Sequence, residues 1–251
     1  MALVTGASSG LGRAVALRLA GEGAAVAVNY RSSESAAHEV VKAIRALGGR
    51  SMSVQADVSQ PAAVSAMANA VRDELGPIEL LVANAGVTQY VPSHDLGGVT
   101  KPIWDRILGV NLLGPFLCVQ ASVPQMETAG SGSIVFVSSN SAYTAEGSSI
   151  PYVVSKAALI TLTRALARAL PASIRVNAIA PGWMATRWLD TYLPDDVKED
   201  LLRDARLTAV DDVAEAIVHL LGNESATGAV LVVDAGEASG RDIQPSEDRR
   251  S

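Results

Sequence analysis

Seven short apolar runs alternate along the chain with longer segments of helical period. The runs are ALVTG (2–6), AAVAVNY (24–30), SMSVQAD (51–57), IELLVANAG (78–86), GSIVFVSS (132–139), SIRVNAIAPG (173–182) and GAVLVVDAG (228–236). They lack the apolar–polar alternation of a half-exposed strand. Strands buried on both faces of a parallel sheet read this way. Helical periodicity covers 10–22, 33–47, 60–75, roughly 101–128, 152–170 and 211–222. Strand–helix alternation predicts a doubly wound α/β sheet with right-handed crossovers. No repeat, linker or shift in composition divides it, so one domain is expected over 1–236, with a polar C-terminal tail at 237–251. Two segments break the rhythm, 87–100 and 183–207. They follow the ends of the fourth and sixth predicted strands, where ligands bind in such sheets. They are candidate substrate walls.

Composition narrows the class. Hydrophobic residues make up 49% of 251, enough for a substantial core, and aromatics only 4%, which suits close helix-on-sheet packing. No apolar run is read as long enough to cross a bilayer. The start, MALVTGASSG, enters a strand-like run at once, with no secretory signal pattern. The single cysteine, Cys118, lies in an apolar helical stretch and fits core packing in a reducing compartment. A net charge of −6 argues against a nucleic-acid partner. His38, His94 and His219 are scattered, so no metal site is expected. The expectation is a cytoplasmic protein acting without membrane or nucleic acid.

Two stretches carry candidate chemistry. The first is TGASSGLG, with Gly6, Gly10 and Gly12 between a strand and a helix, and Ser8, Ser9 and Leu11 among them. Glycines let backbone turn tightly and approach a pyrophosphate, while the helix start offers free N–H groups. The second is PYVVSKAALITL, where Tyr152 and Lys156 stand four apart, on one face of a predicted helix. A free tyrosine holds its proton too tightly to exchange it near neutrality, and a neighbouring ammonium lowers that pKa. The pair therefore reads as a proton donor and acceptor.

Further motifs follow in order: Asp57–Val58, Asn84–Ala85–Gly86, Asn111 in GVNLLG, VSS ending at Ser139, and Pro181–Gly182 with Thr186 beyond. Together they resemble the short-chain dehydrogenases/reductases, from Ala2 to about Gly236. A near neighbour in pattern is the branch of 3-oxoacyl-(acyl-carrier-protein) reductases. The resemblance implies a Rossmann-type, doubly wound, seven-stranded parallel sheet of order 3-2-1-4-5-6-7. It implies a nicotinamide cofactor held by the motifs above and a catalytic set of Asn111, Ser139, Tyr152 and Lys156. In that set Tyr152 exchanges a proton with a carbonyl or alcohol oxygen that Ser139 also bonds. Lys156 holds the nicotinamide ribose, and Asn111 organises a water leading to the lysine. Ser138 and Ser141 fit less well than Ser139, whose spacing to the tyrosine matches the family. The second predicted strand ends Asn29–Tyr30–Arg31–Ser32, where an acid would grip the adenosine ribose. Tyr30 stands in that place, and Arg31 suits a 2′-phosphate. NADP(H) is therefore favoured, with NAD(H) as the alternative. Ser9 stands where many NADP-dependent relatives carry a second basic residue.

The expected substrate is a small-molecule ketone or secondary alcohol. Trp183, Trp188 and Tyr192 could line an apolar or ring-shaped pocket or simply pack the lid. Carrier-protein docking calls for basic residues, and the matching places hold Gly, Ser and Pro/Ala. Arg106 and Arg187 are the cations that could substitute. The alternative function is a non-catalytic NADP(H)-binding sensor of the same fold. Loss of the tyrosine or lysine would mark it, and both are present. The helices at 112–128 and 153–170 are apolar on more than one side, which predicts a homodimer or homotetramer.

Overall fold

The computed structural model describes residues 1–203 and 207–239. Its seven strands are β1 (Ala2–Val4), β2 (Val26–Tyr30), β3 (Ser51–Gln55), β4 (Leu80–Ala83), β5 (Gly132–Val137), β6 (Ile174–Pro181) and β7 (Val230–Val233). They form one sheet of order β3-β2-β1-β4-β5-β6-β7, and every pairing is parallel. The chain winds outward from β1 to β3 and then returns to β4, so the order reverses between β1 and β4. That switch point is where ligands enter such sheets. β1, β2 and β5 are buried at every position, which accounts for their lack of alternation.

Helices cover both faces. On one side α1 (Gly10–Gly21), α2 (Glu34–Ala46) and α10 (Val210–Gly222) enclose a core containing Val4, Val15, Leu19, Val28, Ile44, Val135 and Ile217. On the other, α3 (Pro61–Leu75), α5 (Gly114–Ala129) and α7 (Ile150–Ala169) enclose Leu3, Met67, Leu81, Leu117, Phe136 and Leu159. Phe136 is fully buried, so truncating it to alanine is expected to cost about 3–5 kcal/mol. Cys118 is buried in this second core, and burial pushes its thiol up to about 12, an inert state.

The predicted strand runs extend past the observed strands at their carboxyl ends. Thr5 and Gly6 follow β1, residues 84–86 follow β4, and Ser138 and Ser139 follow β5. These residues have left the ladder and form loops at one edge of the sheet. Small and apolar side chains continue across that boundary, so composition alone does not mark it.

The helix read as continuous over 101–128 is interrupted. α4 (Lys101–Leu108) runs into a π-helical turn at Gly109–Leu113 before α5 begins. Such turns cluster at functional sites, and this one carries Asn111. Pro115 in the first turn of α5 brings no N–H to the disturbed ladder.

The expectation that no apolar run could span a bilayer needs correcting. The helical stretches Lys101–Ala129 and Ile150–Ala169 are long and apolar enough by length and composition. Their apolar surplus has a structural cause: each lays one side on the sheet and keeps further apolar residues, including Leu113, Phe116 and Val154, exposed on another. Segment 183–207 contains two short helices that periodicity did not reveal, α8 (Arg187–Tyr192) and α9 (Asp195–Arg203), while 204–206 lie outside the described residues. Of the segment read as a tail, Glu237–Ser239 form a 3₁₀ turn over Asp234, whose carboxylate accepts from the N–H groups of Gly236 (2.9 Å) and Ala238 (2.6 Å). Residues 240–251 lie outside the described residues.

Candidate active site

The glycine turn is held by side chains from three strand ends. Asn84, after β4, donates to the carbonyls of Thr5 (2.9 Å) and Gly6 (3.1 Å). The Thr5 hydroxyl accepts from the N–H groups of Asn84 and Ala85, each at 3.0 Å. Asn29, in β2, accepts from the Gly6 N–H at 3.2 Å and donates to the carbonyls of Tyr30, Val54 and Ala56. Two glycines are required by geometry. Gly6 sits at φ +61°, where a β-carbon would lie 2.9 Å from the Ala85 α-carbon, and a β-carbon on Gly12 would lie 2.6 Å from the Gly6 carbonyl. No side chain caps the start of α1 at Ser9, so its first-turn N–H groups are left to an external acceptor.

From this turn a cleft of about 440 Å³ runs along the carboxyl edge of the sheet. Every residue predicted to hold the cofactor lines it. So do Ser139, Tyr152 and Lys156. Asn111 does not. Its amide is committed behind the wall, bonding the N–H (2.8 Å) and carbonyl (2.9 Å) of Val87 and the Ser155 hydroxyl (3.1 Å).

At the β2 end, Arg31 is exposed at the cleft mouth. Asp57 is opposed by burial, yet hydrogen bonds from Ser59 (2.6 and 2.9 Å) and the Arg31 charge hold its carboxyl below the ordinary value. The Tyr30 phenol is pushed up by burial and by the nearby Glu34 carboxylate. The cleft therefore meets a guanidinium here, and the nearby acids already have partners.

At the β5 end, Ser139 is near enough to the Tyr152 phenol to lower its pKa. The Lys156 ammonium lies 5.6 Å from the centre of the Tyr152 ring and donates to the Val137 carbonyl at 2.8 Å. The sequence expectation of a tyrosine made more acidic by its lysine is overturned in this state. Burial pushes the phenol up to about 12, against the lowering influence of Ser139. Burial likewise brings the ammonium down to about 8. Removal from water outweighs the pair's mutual attraction because the ammonium bonds a carbonyl rather than the phenol oxygen.

The opposite wall is the lid. Trp188 packs between two tyrosine rings, 6.0 Å from Tyr152 and 4.5 Å from Tyr192 between centroids. Trp183 and Arg187 also line the cleft, whereas Arg106 is exposed on α4 outside it. Trp188 and Tyr192 thus pack against each other while lining the cleft, and Trp183 lines it as well. Sequence reasoning passed over Asn140, Glu146 and Glu237, and ranked Ser141 below Ser139. Asn140 donates to Glu237 at 2.9 Å, across 97 positions. No local pattern announces a contact of that range.

A glycine turn at the switch point, facing a serine, tyrosine and lysine across one cleft, is the signature of a class of nucleotide-dependent oxidoreductases. The chain belongs to the short chain dehydrogenase family, whose profile matches residues 1–196. It is 38% identical over 242 residues to ketoacyl reductase 2 of the granaticin polyketide synthase of Streptomyces violaceoruber, covering 94% of this chain and 95% of that one. It is also 38% identical over 241 residues to the 3-oxoacyl-(acyl-carrier-protein) reductase of Staphylococcus aureus, covering 94% and 96%. Among solved structures, a short chain dehydrogenase of Burkholderia cenocepacia in complex with NADP superposes with a TM-score of 0.85 at 35% identity, covering 95% of this chain and 97% of that one. The chain is an oxidoreductase.

Proposed function

We propose that this protein is an NADP(H)-dependent ketoreductase, folded as one unit over 1–236 and acting in the cytoplasm on a small-molecule ketone. The observation that carries the reading is the convergence of Ser139, Tyr152 and Lys156 on the cleft that starts at the glycine turn. The residues present fit the cofactor. Gly6 and Gly12 admit backbone to a pyrophosphate, the uncapped α1 start supplies N–H donors, and Arg31 offers a cation for a 2′-phosphate with no free acid beside it. The solved relative from Burkholderia cenocepacia, in complex with NADP, supports the same choice.

When bound, the nicotinamide supplies the hydride for the carbonyl carbon. The chain's own groups handle the oxygen. Ser139 donates a hydrogen bond to it and Tyr152 gives it a proton, leaving a secondary alcohol. Lys156 holds the ribose, and its ammonium offsets the negative charge left as the phenol loses its proton. Burial raises the phenol and lowers the ammonium, yet both remain largely protonated at pH 7, the state in which Tyr152 can donate. The test is turnover of NADPH by the purified protein on 3-oxoacyl thioesters, cyclic ketones and sugars. Tight NADPH binding with no oxidation on any ketone would support the sensor alternative instead.

The exposure of Leu113 (47%), Phe116 (40%) and Val154 (42%) on the helices beside the sheet supports a homodimer or homotetramer. Light scattering at micromolar concentration tests it, and a monomer mass would refute it. Carrier-protein docking rests on Arg187 at the cleft mouth and Arg106 on α4. A free thioester reduced as well as its carrier-bound form would show that neither cation docks a carrier.

A further inference from the structure

The wall beside Ser139 has a hydrogen-bonding character that a substrate must match. Asn140 follows Ser139 and precedes the short helix α6 (Ser141–Thr144). It is 5% exposed, and its N–H donates to the Pro181 carbonyl at 2.9 Å. Its side-chain amide donates to a Glu237 carboxylate oxygen at 2.9 Å. An ionised carboxylate accepts and never donates. That bond therefore decides how the Asn140 amide is turned, with its NH₂ on Glu237 and its Oδ1 toward Ser139, 3.4 Å from the Ser139 Oγ. The separation is longer than a good O–H···O bond, so the Ser139 proton is open to a ketone oxygen. Glu237 is itself held in place. Its N–H donates to the Asp234 carbonyl at 3.2 Å, and the N–H groups on either side of it, from Gly236 and Ala238, donate to the Asp234 carboxylate. Glu237 and Glu146 both line the cleft, whereas the lid cation Arg187 is exposed at its mouth. This end of the cleft thus carries an amide oxygen and two carboxylates, all of them acceptors.

A 3-oxoacyl thioester shows only acceptors around its reacting carbon. Set in this cleft it would put acceptor against acceptor, and a polar group desolvated without a partner is costly. A ketone with hydroxyl groups near its carbonyl supplies the missing donors. We propose that the substrate is a hydroxylated ketone, whose hydroxyl one or two carbons from the carbonyl donates to the Asn140 Oδ1 and the Glu237 carboxylate. The proposal rests on the ketoreductase reading of the site and names its substrate class. Asn140 and Glu237 decide which ketone fits, and the proton still comes from Tyr152.

The test uses ketones matched except for hydroxyl against methyl: 2-hydroxy- and 2-methylcyclohexanone, then 3-hydroxy- and 3-methylcyclohexanone. A 3-oxobutanoyl thioester is the acceptor-only probe. Two quantities are measured on the full chain, kcat/KM with NADPH and the Kd of each ketone on the NADP⁺ complex. The second needs no turnover and is followed by tryptophan fluorescence, since Trp183 and Trp188 line the cleft. At one position or both, the hydroxyl should improve each quantity by about tenfold to a hundredfold, the scale of a hydrogen bond to a charged group. Glu237→Met removes the carboxylate and frees the Asn140 amide to turn, so the hydroxyl-to-methyl ratio should fall to within about threefold of one. Glu237→Gln, which keeps one acceptor, should lie between and decides the matter if the methionine variant does not fold. Kd for NADPH should stay within about twofold in every folded variant. Ratios near one at both positions, ratios unmoved by either substitution, or a thioester used as well as the hydroxyketones would overturn the proposal and leave the ketoreductase reading standing. A hydroxyl preference in Kd without turnover would support the assignment and count against that reading. No ketone bound at all would overturn both.

Discussion

The end of the cleft beside β1 is made of backbone: a turn at positive φ, the open start of α1, and asparagines that spend their amides holding that turn in place. The end beside α8 is made of side chains: a tyrosine whose ring packs on a tryptophan, a serine loop, and a carboxylate delivered from beyond β7. The first end sits on the carboxyl ends of buried strands. The second is closed by the short helix α8, part of whose surface is exposed. Backbone geometry presents N–H groups that any pyrophosphate can use, so it suits a common cofactor. Side chains can be exchanged without moving the sheet, so they suit a particular substrate. The difference implies that the ends should respond separately to mutation.

The largest expected effect lies at the chemical centre. Tyr152→Phe keeps the ring packing on Trp188 and removes the exchangeable proton. Ketone reduction should fall by about 10²–10⁴ while the Kd for NADPH stays within a few-fold. Stopped-flow turnover and fluorescence titration check the two halves. If both fell together, the separation of the ends would be wrong.

Next is Arg31. Replacing it with aspartate should weaken NADPH binding by roughly tenfold to a hundredfold, the loss of a charge-assisted contact, and should improve NADH by offering a ribose acceptor. Because Asp57 already shares the Arg31 field, the parent should retain measurable NADH use. Dissociation constants at matched ionic strength test this. A parent that prefers NADH would place the phosphate contact elsewhere. Ketone KM should not change, since this substitution lies at the nucleotide end.

How legible these two ends were follows from their construction. The seven strands, the glycine turn and the Tyr152–Lys156 spacing were readable from the residues, whereas the strand order and the choice of Ser139 came through the family resemblance. The strands carry unbroken apolar runs, and each functional residue lies a fixed number of positions from a strand end or along one helix face. Asn140 and Glu237 were not readable, because their bond joins two loops 97 positions apart through the fold. The tyrosine's acidity was misjudged for a related reason. A spacing of four puts Lys156 near Tyr152, but spacing does not reveal that the ammonium's bond goes to the Val137 carbonyl. The π turn at Gly109–Leu113 escaped periodicity as well, since its composition continues the helices on either side.

Lys156 gives a third test, through stability. Its folded pKa is depressed to about 8 against an ordinary value of 10.5. Between those values the unfolded chain binds one proton more than the folded one, so the unfolding free energy rises with pH across that window. Tyr152, pushed upward, acts in the opposite sense only above its ordinary value of 10.0. From pH 8 to 10 the lysine contribution stands alone of the two. Denaturant unfolding of the parent should gain on the order of 1–2 kcal/mol more over that interval than Lys156→Met. Parallel pH profiles for the two chains would mean that the ammonium is better solvated than its position implies.

The smallest expected effect falls on the seam between the ends. The tip of the Trp188 indole lies over Gly86, within 3.7 Å of where a β-carbon on that glycine would stand, and the same position is 3.7 Å from the Lys156 Nζ. Gly86 belongs to the cofactor wall, yet Trp188 belongs to the lid. Trp188→Ala removes two tilted ring pairs worth about 0.5–1.5 kcal/mol each. Part of that loss falls on the lid's own packing against Tyr192, which a bound ketone does not feel. The pairing with Tyr152 borders the reacting oxygen, so KM for a ketone should rise roughly threefold to tenfold. NADPH affinity should move less than twofold if the backbone cradle carries it. A loss of NADPH affinity as large as the loss in KM would show that α8 closes on both ligands together. The cleft would then have to be described as one site with a shared lid.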